Sequence, residues 1–406
     1  METLSKEVLG VTAGQAEKME VELKRPRICM PSARNFTKRA FRCGLYEAQD
    51  VLLEVDDVDL ICLEALSGFQ LKSAWQRKCL YHDVSRRLMF MNPGLRKVRV
   101  TQEYDLFVVI CQDVWDIPHV NAIEGWKDYC KTTVLWIDEV WNASIPDYKY
   151  LLGALNRFDH VFIGCHDSVA SLSKAIGQSC HWLPGGVDAI RFNPYPKVPA
   201  RVIDVYGIGR RCEGIHQSLL RAAGRGDIFY VYDTFHASDT PVYDHRQHRD
   251  LYADIAKRSR CFVVAPAKRD DPATQGQVEV GFRYYEGAAA GAVMIGQSPD
   301  CTAFRQLFQW PDAVIQVQPD GSDIMEVVAR LISEPGRMFT ISRRNASEAM
   351  LRHDWLYRWK DIFRVAGLQP SSRMTAREHR LKQLADFSGA GYYDRYHASG
   401  ATRQNL

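Results

Sequence analysis

From Arg27 onward, short apolar runs alternate with longer segments in which apolar residues recur every three or four positions. The runs Arg27–Met30, Val58–Leu63, Leu106–Cys111, Thr133–Ile137, His160–Gly164 and Ser179–Leu183 are rich in Val, Ile, Leu or aromatics. Each closes on a polar or Gly/Pro cluster, which predicts a buried strand. Between them the pattern predicts helices at Lys38–Val51, Pro146–Asn156 and Ser168–Ile176. Strand, helix, strand at this spacing implies right-handed crossovers and a mostly parallel, doubly wound sheet.

The alternation stops at Phe192–Pro199, where three prolines fall within six residues. Neither a helix nor a central strand tolerates that density, so the segment reads as a linker. The pattern then restarts, with strands expected at Val202–Tyr206, Ile228–Tyr232, Cys261–Ala265, Ala292–Ile295 and Ala313–Val317. Helices are expected at Gly214–Ala223, Arg246–Arg258, Val280–Ala290, Ser322–Ser333 and Arg337–Met350. The expected organisation is α/β: a polar leader (1–25), an N-terminal Rossmann-like lobe (26–192), a linker (193–200) and a second Rossmann-like lobe (201–350). A crossover helix (351–366) and a polar tail (367–406) follow, with one charged helix in the tail near Ala376–Asp386.

Composition adds exclusions. With 46% hydrophobic and 25% charged residues over 406 positions, the chain is of ordinary globular type. A net charge of +3 gives no broad field for nucleic acid, so no nucleic-acid partner is expected. No apolar run has the length of a membrane span, and the first residues lack an apolar signal core, so a cytoplasmic protein is expected, with at most peripheral membrane contact. The eleven cysteines are scattered without a CxxC pair, which argues for buried thiols and against a metal centre.

Three stretches carry candidate chemistry. Leu183-Pro184-Gly185-Gly186-Val187-Asp188, continuing through Phe192 and Pro194, resembles the I-P-N-G-V-D-x-x-x-F-x-P segment that closes the N-terminal lobe of GT-B glycosyltransferases of group 1 (retaining, family 4-like), with Gly185 in place of the usual Asn. Glu279–Val293 resembles that family's donor-site helix. The resemblance gives Glu286 the task of gripping both ribose hydroxyls of the nucleotide, from the start of the helix and in a partly dry cleft. A carboxylate suits this because it accepts from two neighbouring hydroxyls at once. The family spaces two glutamates eight positions apart, whereas Glu279 and Glu286 are seven apart. Arg283-Tyr284-Tyr285-Glu286 is closer to a branch carrying R-x-[FY]-E.

The third stretch is Val205–Arg211. Glycines let a backbone approach a ligand, and an adjacent Arg can clamp a diphosphate bidentately. Gly209 with Arg210 or Arg211 occupies the family's G-R position, so the resemblance implies donor-diphosphate binding there. Lys268 is the implied second cation, with Arg269 and Arg283 as alternatives.

On the acceptor side, Asp138 and Glu139 follow a strand, and His166 holds the equivalent place one strand later, with Asp167 also suited to cap the next helix. With Glu279 they form the expected catalytic set. Trp115, Trp126, Trp136 and Trp141 crowd the same region. His353–Trp359 resembles the segment where the family's chain crosses back to the N-lobe, and is read as packing.

The resemblance implies two lobes across a cleft and a nucleotide-diphosphate sugar as donor substrate, with no other cofactor. It implies metal-independent, retaining transfer of a hexosyl unit to a sugar, lipid-linked or small-molecule acceptor in polysaccharide, glycolipid or natural-product assembly. A GT-B epimerase, which needs no acceptor, and a non-catalytic scaffold that binds nucleotide sugars are the rival readings.

Overall fold

The computed structural model describes residues 25–82, 84–234 and 241–389. In the first lobe the order is β1 (Ile28–Ser32), α1 (Cys43–Val55), β2 (Val58–Cys62), α2 (Phe69–Tyr81), β3 (Tyr104–Cys111), β4 (Cys130–Ile137), β5 (His160–Ile163), α3 (Val169–Ile176) and β6 (Cys180–Trp182). Every pairing in its sheet is parallel, in the spatial order β2-β1-β3-β4-β5-β6. The second lobe runs β7 (Ile203–Gly207), α4 (Glu213–Gly224), β8 (Tyr230–Tyr232), α5 (His245–Lys257), β9 (Ser259–Val264), α6 (Phe282–Ala289), β10 (Val293–Gly296) and β11 (Ile315–Gln316). Its sheet is also parallel, ordered β8-β7-β9-β10-β11. Then come α7 (Ile324–Ser333), α8 (Pro335–Arg352), α9 (Trp355–Ala366) and α10 (Ser372–Gly389).

All eleven expected strands are present. Their continuous apolar runs suit strands covered by helices on both faces: Leu106, Phe107 and Val108 are all fully buried. The chain between Asn193 and Val202 is irregular. Three helical expectations need correction. The span Pro146–Asn156 is a 3-10 helix (Asn142–Tyr148) and a single α turn (Leu152–Leu155). Helix α2 was not foreseen at all. The tail helix is longer than the charge pattern suggested and is fastened to the body. Its Arg377 is buried and pairs with Asp188, Asp354 and Glu54.

The lobes are not separate hydrophobic bodies. One buried cluster contains Met30 and Trp136 of the first lobe, Phe262 and Met294 of the second, and Val187 between them. Helix α9 seals this seam. Trp355 and Trp359 lie 5.8 and 5.9 Å from the Trp136 ring, and the Trp359 indole donates to the Ala48 carbonyl. Gly186 is required here, because a Cβ on it would come 2.7 Å from the Trp355 ring. In α6 the small residues do what their pattern implies: a Cβ on Gly287 would lie 3.0 Å from Phe262, so helix and sheet are in close contact.

Candidate active site between the lobes

In each sheet the strand order reverses beside its first strand, between β1 and β3 and between β7 and β9. Such switch points open a crevice at the carboxyl ends of the strands, where α/β sheets bind ligands. The two crevices belong to rims that touch. Lys268 Nζ lies 2.5 Å from Glu139 Oε2 across the seam. Gln277 accepts from the Asn142 N–H and donates to Ser168.

On the second-lobe rim, β7 ends in the glycine loop. Gly209 has φ +80°, a left-handed conformation that favours glycine, and its N–H donates to Asp233 at 3.0 Å. Arg211 is tethered to Asp233 at 3.2 Å and to His216 at 2.9 Å. Arg210 is 60% exposed, 3.6 Å from Asp271. Of the three cations left open by the sequence, Arg283 is the one against the glycine loop. Its Nε donates to the Ile208 carbonyl, and a Cβ on Gly209 would meet its Nη2 at 3.0 Å. Lys268 instead points to the first lobe, to Glu139 and the Trp141 ring, and Arg269 reaches Cys212.

Glu286 departs most from expectation. It lies inside α6, past the helix start at Phe282, and is 1% exposed rather than lining an open cleft. Both carboxylate oxygens are engaged by the protein. Oε1 accepts from Arg249 at 2.5 Å, while Oε2 accepts from Tyr252 at 2.7 Å and Arg283 at 2.5 Å. Arg249 also donates to Glu47 of α1, so the network ties the lobes together. Burial alone would raise the Glu286 carboxyl, but Arg283 and Arg249 hold it down to about 2.

Glu279 reaches across the seam. Its oxygens accept from the N–H groups of His166 and Asp167, each at 3.1 Å, and from Gln277. The first turn before α3 is thus capped by the other lobe. Asp167 does not cap it; its carboxylate meets the His166 ring at 2.7 Å. Burial raises the Glu279 carboxyl. Beside it, Asp138 is buried and accepts from Gln112 at 2.9 Å. Burial, then the charge of Glu139, pushes Asp138 up to about 8, so it carries a proton at neutral pH. Asp138, Glu139, His166, Glu279 and Lys268 therefore do come together, although they span 142 positions of the chain. Trp126 and Trp136 are core, and Trp141, also buried, donates to Glu139 at 3.4 Å.

Sequence reasoning missed the first-lobe crevice itself. Arg42 makes a bidentate pair with Asp116 beyond β3, at 2.7 and 2.9 Å. Burial would raise Asp116, but Arg42 holds it near 2; burial and the Asp116 charge push Asp113 up to about 6. Burial pulls His119 down to about 4. The sequence signal is a pair of aspartates, Asp113 and Asp116, shortly after a strand. The described residues contain no cluster of three or more His, Cys, Asp or Glu placed to hold a metal.

Two facing doubly wound lobes, with a helix returning from the second to cover the first, make up the GT-B fold of two-lobed glycosyltransferases. Among solved structures the chain is similar to an alpha-glucosyltransferase in complex with UDP and a 13-mer DNA containing an HMU base, with TM-score 0.51 and 11% identity over 84% of this chain and 99% of that one. Weaker likenesses are Anabaena HepE in complex with UDP-glucose (TM-score 0.47, 11% identity, 84% and 99% covered) and a UDP-forming alpha,alpha-trehalose-phosphate synthase from Burkholderia vietnamiensis (TM-score 0.47, 12% identity, 83% and 98%). No family model and no curated protein matches the sequence.

Proposed function

We propose that the protein is a glycosyltransferase that moves a sugar from a nucleoside diphosphate donor, held by the second lobe, to a hydroxyl-bearing acceptor held by the first. One observation carries this reading. The glycine loop after β7 collects Arg210, Arg211 and Arg283 at a switch point, and the rim it belongs to meets Asp138, Glu139 and His166. In the reaction, the bond from the anomeric carbon to the diphosphate oxygen breaks as the acceptor oxygen bonds to that carbon, through an oxocarbenium-like transition state. Negative charge develops on the departing diphosphate, where preorganised guanidinium groups stabilise it most. With those cations in place, we read the transfer as metal-independent and, from the sequence resemblance, as retaining.

Within this reading the roles of the donor residues change. Arg210, the most exposed of the loop cations, contacts the diphosphate. Arg283 contacts it from the other side, and Glu286 is a positioning residue that holds Arg283 in place. Asp138, protonated at neutral pH, and the neighbouring Glu139 form an acid/base pair facing the acceptor. Because the similar alpha-glucosyltransferase is in complex with UDP, UDP is the first probe. A charge-assisted contact contributes about 1.5 to 3 kcal/mol. Arg210→Ala is therefore expected to weaken UDP about ten- to 150-fold by calorimetric titration while leaving uridine unchanged. Equal losses for both ligands would remove the diphosphate from this loop.

A further inference from the structure

The first lobe carries a surface that the sugar-transfer reading does not use. Between Ala65 and Gln102 the chain has eight Lys or Arg and one acid, Asp83, a net +7 in a protein whose total is +3. Helix α2 lies at the centre of this segment. Its inner face is firmly docked: Phe69, Gln76 and Leu80 are buried, and Phe69 meets Phe36 edge-on at 5.0 Å. The Gln76 amide donates to the carbonyls of Leu88 and Met91, fastening the 3-10 turn Arg86–Phe90 beside the helix. The outer face is therefore turned outward by a fixed fold. It carries Leu71 at 80% exposure and Trp75 at 52%, one turn apart, with Lys78 on the same stripe and Lys72 flanking it. Tyr81 and Phe90 extend the apolar area, both more than half exposed. Lys72, Lys78 and Arg87 have no ion pair among the described residues.

We propose that this face docks on an anionic lipid surface. Leucine and tryptophan on one stripe with lysines beside them is the side-chain chemistry of a helix lying in a bilayer interface: the apolar groups enter the headgroup boundary and the cations meet lipid phosphates. Nucleic acid shares the phosphate chemistry, but a phosphate backbone offers nothing to an aliphatic residue such as Leu71. The amphipathic face thus favours lipid. No helix among the described residues is long and apolar enough to cross a membrane, so the contact is one of lying on the surface. Helix α2 follows β2, whose neighbour β1 borders the first-lobe crevice, so docking would hold that crevice next to the membrane. The inference stands whether or not the protein transfers sugars.

The test is co-sedimentation of the full chain with phosphatidylcholine vesicles, with and without phosphatidylglycerol, and with duplex DNA measured in parallel. Wild type is expected to pellet with the anionic vesicles only, and to be released by salt. Each cation near such a surface contributes about a fivefold factor, so K72E/K78E is expected to lose about 25-fold or more in partitioning. L71S/W75A is expected to lose binding with an unchanged melting temperature, because both side chains are outside the core. Absence of vesicle binding at low salt, or binding that survives both double substitutions, would overturn the proposal. So would DNA binding that K72E/K78E abolishes while vesicles are ignored, which would assign the patch to nucleic acid.

Discussion

Glu286 illustrates how a residue's neighbours alter its chemistry. Its sequence context resembles a ribose ligand, and on that basis Glu286→Gln would leave the melting temperature nearly unchanged. In the structure the carboxylate is fully buried against two arginines, one of which continues to Glu47. Breaking a buried, hydrogen-bonded pair leaves uncompensated charge, with a typical cost of about 3 to 5 kcal/mol. Glu286→Gln is therefore expected to lower the melting temperature clearly at neutral pH. A group whose folded pKa is depressed stabilises above its unfolded pKa and loses that contribution as pH falls through the folded value. The deficit of the variant should therefore shrink from about pH 4.5 down to 2, which melting curves across that range would check. Asp138 has the opposite sign. Its folded pKa is raised to about 8, so its contribution is complete below the unfolded value near 4 and declines as pH rises toward 8. Asp138→Asn should match wild type near pH 4 and become progressively more stable than wild type up to pH 8. A constant difference would show that the carboxyl titrates normally.

At the scale of elements, the segment Leu183–Pro194 is informative because its glycines have a structural use. Gly185 is covered by Tyr285 and Phe282, and Gly186 by Trp355 and the His353 carbonyl. A methyl at position 186 meets a buried ring and backbone, neither of which has room to move. Overpacking of this kind costs about 1 to 3 kcal/mol. Gly186→Ala should lower stability by that amount in denaturant unfolding, whereas Gly177→Ala, with open space around it, would be affected only by its backbone conformation. Strands and most helices could be read from the chain because both faces of the sheets are covered and the runs are continuous. Helix α2 could not, since Leu71 and Trp75 sit on its outer face and break the usual agreement between apolar and buried. The same disagreement makes it a candidate docking surface.

At the scale of the molecule, two lobes with separate sheets share one hydrophobic cluster and one buried ionic network. Such a body should unfold cooperatively. Calorimetry is expected to give a single transition that moves upward as a whole with UDP, by about 2.7 kcal/mol at a hundred dissociation constants. Two separated peaks, only one responding to UDP, would show that the lobes are energetically independent. By itself the sequence determined the succession of strands, most of the helices and the irregular linker, because each rests on local periodicity or on residues such as proline whose limits are local. The packing helix that returns after His353 is what the family resemblance implies. It also nominated Gly209, Arg210 and Arg283, which the fold gathers around one loop. Only the tertiary structure decided that Glu286 is buried, that Lys268 crosses to Glu139, that Glu279 caps the opposite lobe, and that Arg42 and Asp116 line the first crevice. Each of these depends on which charges meet once strands distant in sequence lie side by side, and on how much water burial removes from between them. Local pattern carries no record of either.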